Sequence, residues 1–179
     1  DVSILRLHQG VFEVMATAGD SALGGDDMDR AIALWLMEQA GVGDDVNHSL
    51  QRRLLHEACV AKEALTENEQ AELSLSLDNA APWQGRLSRR KMEELIEPLV
   101  RKTLAPCRRA LRDAGVSAGD VEEIVMVGGT TRVQTGRAMG GDCLGRAPWV
   151  VLEPDQVVAG GAALRGDGLA GQPRDVEVG

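Results

Sequence analysis

The residues with the clearest chemical potential follow an apolar run in the last third of the chain. Residues 127–132 read Val-Gly-Gly-Thr-Thr-Arg. Glycines let the backbone approach a ligand closely, and the free N–H groups at the start of a following helix attract anions. The pattern therefore fits a cradle for a phosphate or a nucleotide. It fits an ordinary strand-to-helix turn with a threonine cap equally well, and these residues alone do not decide between the two interpretations.

A second pattern, Leu-Gly-Gly-Asp-Asp-Met-Asp, occupies residues 23–29. Its carboxylates suit Mg²⁺ held through water, but complementing the dipole of a helix that starts there is the simpler interpretation. Taken alone, Lys62 and Glu63 would form a solvated helix face, and Asp155 would cap a helix. The three histidines lack the spacing of a catalytic or metal-binding group.

Composition limits what these patterns can mean. With 179 residues, of which 44% are hydrophobic, the chain is able to bury one good core or two small ones. A net charge of -9 argues against nucleic acid as a partner, and no apolar run is long enough to span a membrane. Cys59, Cys107 and Cys143 are distant and odd in number, which indicates neither disulfides nor zinc and fits a reducing cytoplasm. Because Asp1 enters a strand directly, we expect the chain to be a fragment of a longer protein.

The elements that must position these residues follow from hydrophobic periodicity. The predicted elements are strands at 2–7 and 11–17 joined by a Gly10 turn, a helix from about 26 to 41, a helix at 49–65, strands at 72–77 and 83–87, and a long helix from Ser88 to Gly115. Pro98 and Pro106 are expected to bend or divide that last helix. The pattern also predicts a strand buried on both faces at 124–127, a packed helix at 157–164 and a frayed tail after Asp167.

Five stretches in this order carry a family resemblance. They are residues 12–20, 23–29, 61–65, 127–132 and 154–163. Together they resemble the seventy-kilodalton heat-shock family, the DnaK-like chaperones, over essentially the whole chain. The segment 19–25 and the short passage 83–89 are similar to the HscA-like branch, which serves iron–sulfur cluster assembly.

The resemblance implies an α/β fold, namely one lobe of an actin-like ATPase with a mixed sheet flanked by helices and a smaller α+β subdomain inserted. ATP would lie in the cleft between this second lobe and its mate. By the same mapping, residues 1–23 and 97–179 would form the base subdomain, and residues 24–96 the upper subdomain.

The resemblance also implies the nucleotide contacts. They would be Gly128, Gly129 and Thr130 near the phosphate and ribose, Arg132 over the adenine, Lys62 at the ribose, Thr66 near the adenine, Gly25 lining the cleft and Asp155 closing the adenosine pocket. Asp1 would help to order the metal or its waters. No catalytic residue is expected within this chain, so the fragment alone should be inactive.

Two positions depart from the family pattern. Cys59 stands where many members have an acid that bonds the ribose, and Glu63 where some have an arginine over the adenine. Losing one charge-assisted hydrogen bond forfeits about 1.5 to 3 kcal/mol, so we expect weaker nucleotide binding than in a general chaperone.

The implied cofactors are ATP or ADP with Mg²⁺, and potassium is a further candidate ion. The implied partners are a J-type co-chaperone and, through another domain of the parent, an iron–sulfur scaffold protein or an unfolded peptide. Two alternatives stay open. One is a small-molecule kinase of the actin-like superfamily, and the other is a non-catalytic scaffold lobe that binds co-chaperones.

Overall fold

The computed structural model describes residues 1–43, 46–77 and 81–126. Helices and strands alternate within these ranges, which confirms the predicted mixture of the two. The elements are β1 (Val2–His8), β2 (Val11–Ala18), α1 (Gly25–Gln39), α2 (His48–Ala64), β3 (Gln70–Leu75), β4 (Trp83–Ser88), α3 (Arg89–Lys102) and α4 (Leu104–Ala114).

β1 and β2 form the predicted antiparallel hairpin, in register from Val2 opposite Ala18 to His8 opposite Val11. The two connecting residues, Gln9 and Gly10, have φ values of 50° and 80°. Positive φ at both positions is the geometry of a tight turn whose twist matches that of the paired strands, and Gly10 adopts it without steric cost. The register shifts once, between Ile4 and Leu5, as a bulge does.

Helix α4 packs against both strands of the hairpin. Half-buried residues of the strands, such as Ile4 and Ala16, are paired with each other on one face. The opposite face carries large apolar side chains that are at least half exposed, and these are Leu5, Leu7, Phe12 and Val14. The hairpin therefore has one covered face and one apolar face open to solvent.

The main hydrophobic core lies between α1, α2, α3 and the sheet of β3 and β4. Its largest fully buried side chains are Ile32, Leu36, Leu65, Leu75, Leu87 and Met92. Ile96 packs with Met28 and Val100 in a second, smaller cluster. Strand β3 alternates strictly, with Ala71, Leu73 and Leu75 facing the core. The prediction of a strand at 72–77 was displaced by two residues, because pairing runs from Gln70 opposite Ser88 to Leu75 opposite Trp83 and ends there.

The long helix predicted from Ser88 is two helices. Ser88 caps α3, as expected, since its hydroxyl accepts a hydrogen bond from Lys91 N at 3.2 Å. The division falls at Thr103, three residues before Pro106, so the prediction that a proline would divide the helix was confirmed for Pro106. Pro98 lies inside α3, and Pro106 lies in the first turn of α4, where a missing N–H costs little.

After α4 the chain passes through a short 3₁₀ turn at Ala118–Asp120. The predicted strand at 124–127 is described only to Met126, and there Val125 makes an isolated bridge. Val125 is 55% exposed, so the expectation of burial on both faces was wrong for the described part of this run. The apolar residues of this run favour burial, but no described element covers the Val125 side chain. The predicted helix at 157–164 and the tail lie outside the described residues.

Candidate functional site

Two of the three carboxylates in residues 23–29 belong to the first turn of α1. Asp27 Oδ2 accepts a hydrogen bond from Gly24 N at 2.9 Å, and Asp26 lies in the same turn. Both carboxylates are therefore placed to satisfy and stabilise the start of the helix. Among the residues that the structure describes, no three histidine, cysteine or acidic side chains are grouped to hold a metal ion. The simpler interpretation of Asp26 and Asp27 is the one that the geometry favours.

The third carboxylate, Asp29, has a different environment. It points into the contact between α1 and α2, where Lys62 Nζ lies 2.7 Å from Asp29 Oδ1. The same ammonium donates a hydrogen bond to Gly25 O at 3.4 Å. Lys62 is only 14% exposed and Asp29 12%, so the expectation of a solvated face at position 62 was wrong. Helix packing carries the lysine stem along apolar surface and brings its charge to the start of α1.

The Asp29–Lys62 contact is close enough for an ion pair, although Asp29 Oδ1 makes no hydrogen bond of good geometry within the described residues. The attraction is therefore electrostatic. A lysine ammonium carries three N–H donors. Asp29 and Gly25 O face two of them, which leaves one donor for an acceptor from outside the described residues.

Cys59 lies one turn before Lys62 and Glu63 on α2. Its Sγ is 3.9 Å from Glu63 Oε1, the geometry of a weak S–H donor to a carboxylate. Burial raises the pKa of the Cys59 thiol, the Asp29 carboxylate raises it further, and the ammonium of Lys62 opposes both. The thiol is thus a neutral group at the edge of the charged pair. Among the described residues, neither Cys59 nor Cys107 forms a disulfide.

Thr66 follows the end of α2, one turn beyond Lys62. Its hydroxyl donates a hydrogen bond to Glu63 O at 2.6 Å. The local backbone is fixed by Arg89, whose Nε donates to Leu65 O at 2.8 Å and whose Nη2 reaches Thr66 O at 3.5 Å. Arg89 also pairs with the exposed Glu69 at 2.6 Å. One guanidinium therefore holds the carbonyls at the end of α2, where terminal carbonyls lack helical partners.

Asp1 precedes β1 and lies next to Gly19, the residue that follows β2. Its carboxylate sits against the α-carbon of Gly19, close enough that a β-carbon there would collide with it. Arg109 on α4 donates a hydrogen bond to Gly19 O at 2.9 Å. Asp1 therefore lies where the hairpin ends and the chain turns toward α1, and Arg109 holds the Gly19 carbonyl beside it.

Of the predicted site residues, the structure brings Gly25 and Lys62 into contact and places Thr66 four residues beyond Lys62, just past the end of α2. Asp1 lies apart from them, at the hairpin end. The remaining predicted residues, which are Gly128, Gly129, Thr130, Arg132 and Asp155, lie outside the described residues.

Arg89 was missed from the sequence, and Asp29, which the sequence analysis grouped with the carboxylates at a helix start, was not predicted to be buried. Asp29 falls at helical spacing with Ile32, Ala33 and Leu36, all of which are buried. A charge within an apolar stripe is a signal for a buried partner, although it does not name the partner. Arg89 carried no such signal, because it follows the capping serine in a run of basic residues that looks solvated.

Comparison with known proteins identifies the family to which the chain belongs. The model of the Hsp70 protein family matches residues 1–178, so the chain belongs to the Hsp70 family, whose fold is that of an actin-like ATPase. The chain is 54% identical over 177 residues to the chaperone protein HscA homolog of Azotobacter vinelandii. It is 53% identical over 178 residues to the chaperone protein HscA of Yersinia pseudotuberculosis. The resemblance found in the motifs is confirmed.

These alignments cover 99% of the chain but only 28% and 27% of the two relatives. The chain thus spans little more than a quarter of the length of the curated relatives that it matches. Within the described ranges, each helix is too short or too polar to cross a bilayer.

Proposed function

We propose that the chain is the adenosine-side lobe of the nucleotide-binding domain of an ATP-dependent chaperone. The observation that carries the proposal is the convergence of Lys62 Nζ and Gly25 O between α1 and α2, in a chain that matches the Hsp70 model over residues 1–178. Lys62 keeps a donor for an acceptor from outside, which suits a ribose hydroxyl. Thr66, one turn away, would lie near the adenine.

In this proposal residues 1–23 and 97–179 form the base subdomain, and residues 24–96 the upper one. The packing of α4 on the hairpin and the separate core around α1, α2, β3 and β4 support the division. The remaining nucleotide contacts would come from Gly128, Gly129, Thr130, Arg132 and Asp155.

The nucleotide would be ATP or ADP with Mg²⁺. Since the described residues group no three metal-binding side chains, Asp1 would act as a single ligand or order the waters of the ion, and other groups would come from elsewhere. The metal would neutralise phosphate charge. Lys62 would orient the sugar, and Gly25, at the start of α1, would line the cleft.

The parent protein would hydrolyse ATP slowly and use the opening and closing of the cleft to control a peptide-binding domain. The HscA relatives favour a role in iron–sulfur cluster assembly, with a J-type co-chaperone and an iron–sulfur scaffold protein or unfolded peptide as partners. A cytoplasmic location fits this role. The chain alone would not catalyse hydrolysis, because the cleft needs both lobes.

Titration calorimetry of the full-length parent protein with MgADP tests the proposal. We expect saturable binding, and we expect Lys62→Met to weaken it about tenfold through loss of one charge-assisted hydrogen bond. The matched control is Lys91→Met, an exposed lysine on α3 paired with Glu94, which should bind as the unaltered protein does. Far-UV circular dichroism verifies the fold of each variant.

Two outcomes would contradict the proposal. No heat with MgADP would favour the scaffold lobe, for which the absence of the acid at Cys59 is the motivating feature. Transfer of phosphate from ATP to a sugar or to acetate would favour the small-molecule kinase.

A further inference from the structure

Asp29 is the one charged residue that is buried within the described part of the chain, with 8% of its surface exposed. Burying a carboxylate is costly unless it is paired. Lys62 Nζ, 2.7 Å from Asp29 Oδ1, provides that pairing, but a buried ion pair often stabilises a fold no better than apolar residues of similar size would. The position of the carboxylate therefore needs another explanation.

The geometry around the ammonium supplies one. Gly25 and Asp29 are four residues apart on α1, so their acceptor groups lie one above the other on the same helix face. Lys62 reaches both from α2, at 3.4 Å and 2.7 Å. The two contacts fix the end of a long side chain that would otherwise sample many rotamers and lose conformational entropy when it met a ligand.

Other groups near the ammonium would draw it elsewhere if Asp29 were neutral. Glu63, the next residue on α2, is an exposed carboxylate, and the Cys59 thiol lies one turn back. With Asp29 charged, the ammonium is held at the start of α1. Without that charge, it is free to turn toward solvent and Glu63.

We propose that Asp29 is the positioning residue for Lys62, holding the ammonium beside Gly25 O so that its remaining donor is aimed at a neutral hydroxyl of the nucleoside. Asp29 touches no ligand itself and acts only through the lysine. This inference rests on the proposed function, because it assigns a second residue to the same adenosine site.

The test is a double-mutant cycle on the full-length parent protein with adenosine as the ligand. Adenosine is uncharged, so a change in the net charge of the site has little direct effect on its binding. We expect Lys62→Met and Asp29→Asn each to weaken adenosine binding about five- to tenfold, as loss of one hydrogen bond does. The double variant should bind no more weakly than either single variant, because both changes remove the same donor.

Two further variants separate positioning from folding. Asp29→Glu keeps the charge and a paired lysine but shifts the carboxylate by one methylene, so it should lose adenosine affinity. Binding is measured far below the melting temperature of this variant, because an added methylene at a buried site also destabilises the fold. Asp26→Asn removes an exposed carboxylate from the same helix, so it should leave adenosine affinity unchanged and lower the melting temperature only slightly, through the lost interaction with the helix dipole. In turnover, Asp29→Asn should raise KM for ATP and leave kcat within about twofold, because the sugar is remote from the transferred phosphate.

Additive losses in the double variant would overturn the inference, since they would mean that Asp29 and Lys62 act independently. Adenosine binding unchanged by Asp29→Asn would overturn it while leaving the proposed function intact. Failure of the unaltered protein to bind adenosine or MgADP would overturn both.

Discussion

Replacing Arg89 by alanine should destabilise the fold by about 2 to 3 kcal/mol. The main loss is the 2.8 Å hydrogen bond from Nε to Leu65 O, and a bond from a charged donor contributes about 1.5 to 3 kcal/mol. The pair with Glu69 adds less than about 1 kcal/mol, because that carboxylate is 82% exposed. The contact with Thr66 O, at 3.5 Å, is too long to add much.

The neighbouring Arg90 offers a matched control of the same residue type on the same helix. It is 90% exposed and pairs only with Glu94, one turn along α3. Arg90→Ala should therefore cost less than about 0.5 kcal/mol. Arg89→Lys keeps a charge near Glu69 but loses the planar fork, so it should lie between the two alanine variants.

Urea unfolding followed by far-UV circular dichroism measures these differences. The slope of free energy against urea should stay constant across the set, so that midpoints compare directly. An Arg89→Ala variant within about 0.5 kcal/mol of the unaltered protein would refute the reasoning, because it would mean that water satisfies the end of α2 as well as the guanidinium does.

Two other predictions concern the charged pair and the thiol beside it. Lys62→Met should lower the free energy of unfolding by about 3 kcal/mol, because it leaves Asp29 buried and unpaired, and adding Asp29→Asn should recover most of the loss in the same urea assay. Burial and the Asp29 carboxylate raise the pKa of Cys59, so alkylation by iodoacetamide at this residue should accelerate at higher pH than for a thiol in an unfolded peptide. Because the folded state favours the protonated thiol, its contribution to the free energy of unfolding should be fully present below the thiol pKa of the unfolded chain. It should fall as pH rises through the thiol pKa of the folded protein. Cys59→Ser should remove this loss of stability at alkaline pH.

The elements were largely predictable because their signals are local. Helix α2 was predicted at 49–65 and runs from His48 to Ala64, since an apolar stripe with helical period has one way to bury itself. Strand β3 was displaced because the alternation of Ser and Leu continues to Leu77, whereas pairing stops at Leu75 with Trp83. Strand β3 ends where its pairing with β4 ends, and the sequence of β3 alone does not show where that is.

The site was predictable in part. Gly25, Lys62 and Thr66 were predicted from the family resemblance. Asp29 and Arg89 instead make contacts with residues distant in sequence. Asp29 pairs with Lys62, 33 residues away, and Arg89 donates to Leu65 O, 24 residues away. Such contacts arise from how the helices pack, and no local pattern encodes them. The helix break at Thr103 has a local signal as well, because Pro106 cannot donate to Lys102 O and its ring crowds that carbonyl.

The crowding of Asp1 against Gly19 has a consequence for mutational tolerance. The close approach at position 19 is to the end of a flexible, exposed side chain, so alanine there requires only that the Asp1 carboxylate swing aside, while the hydrogen bond from Arg109 goes to the backbone carbonyl. Random mutagenesis of this turn should therefore accept small residues at position 19, provided that Arg109 still donates to the carbonyl there, and should vary freely at the exposed neighbours Asp20 and Ser21.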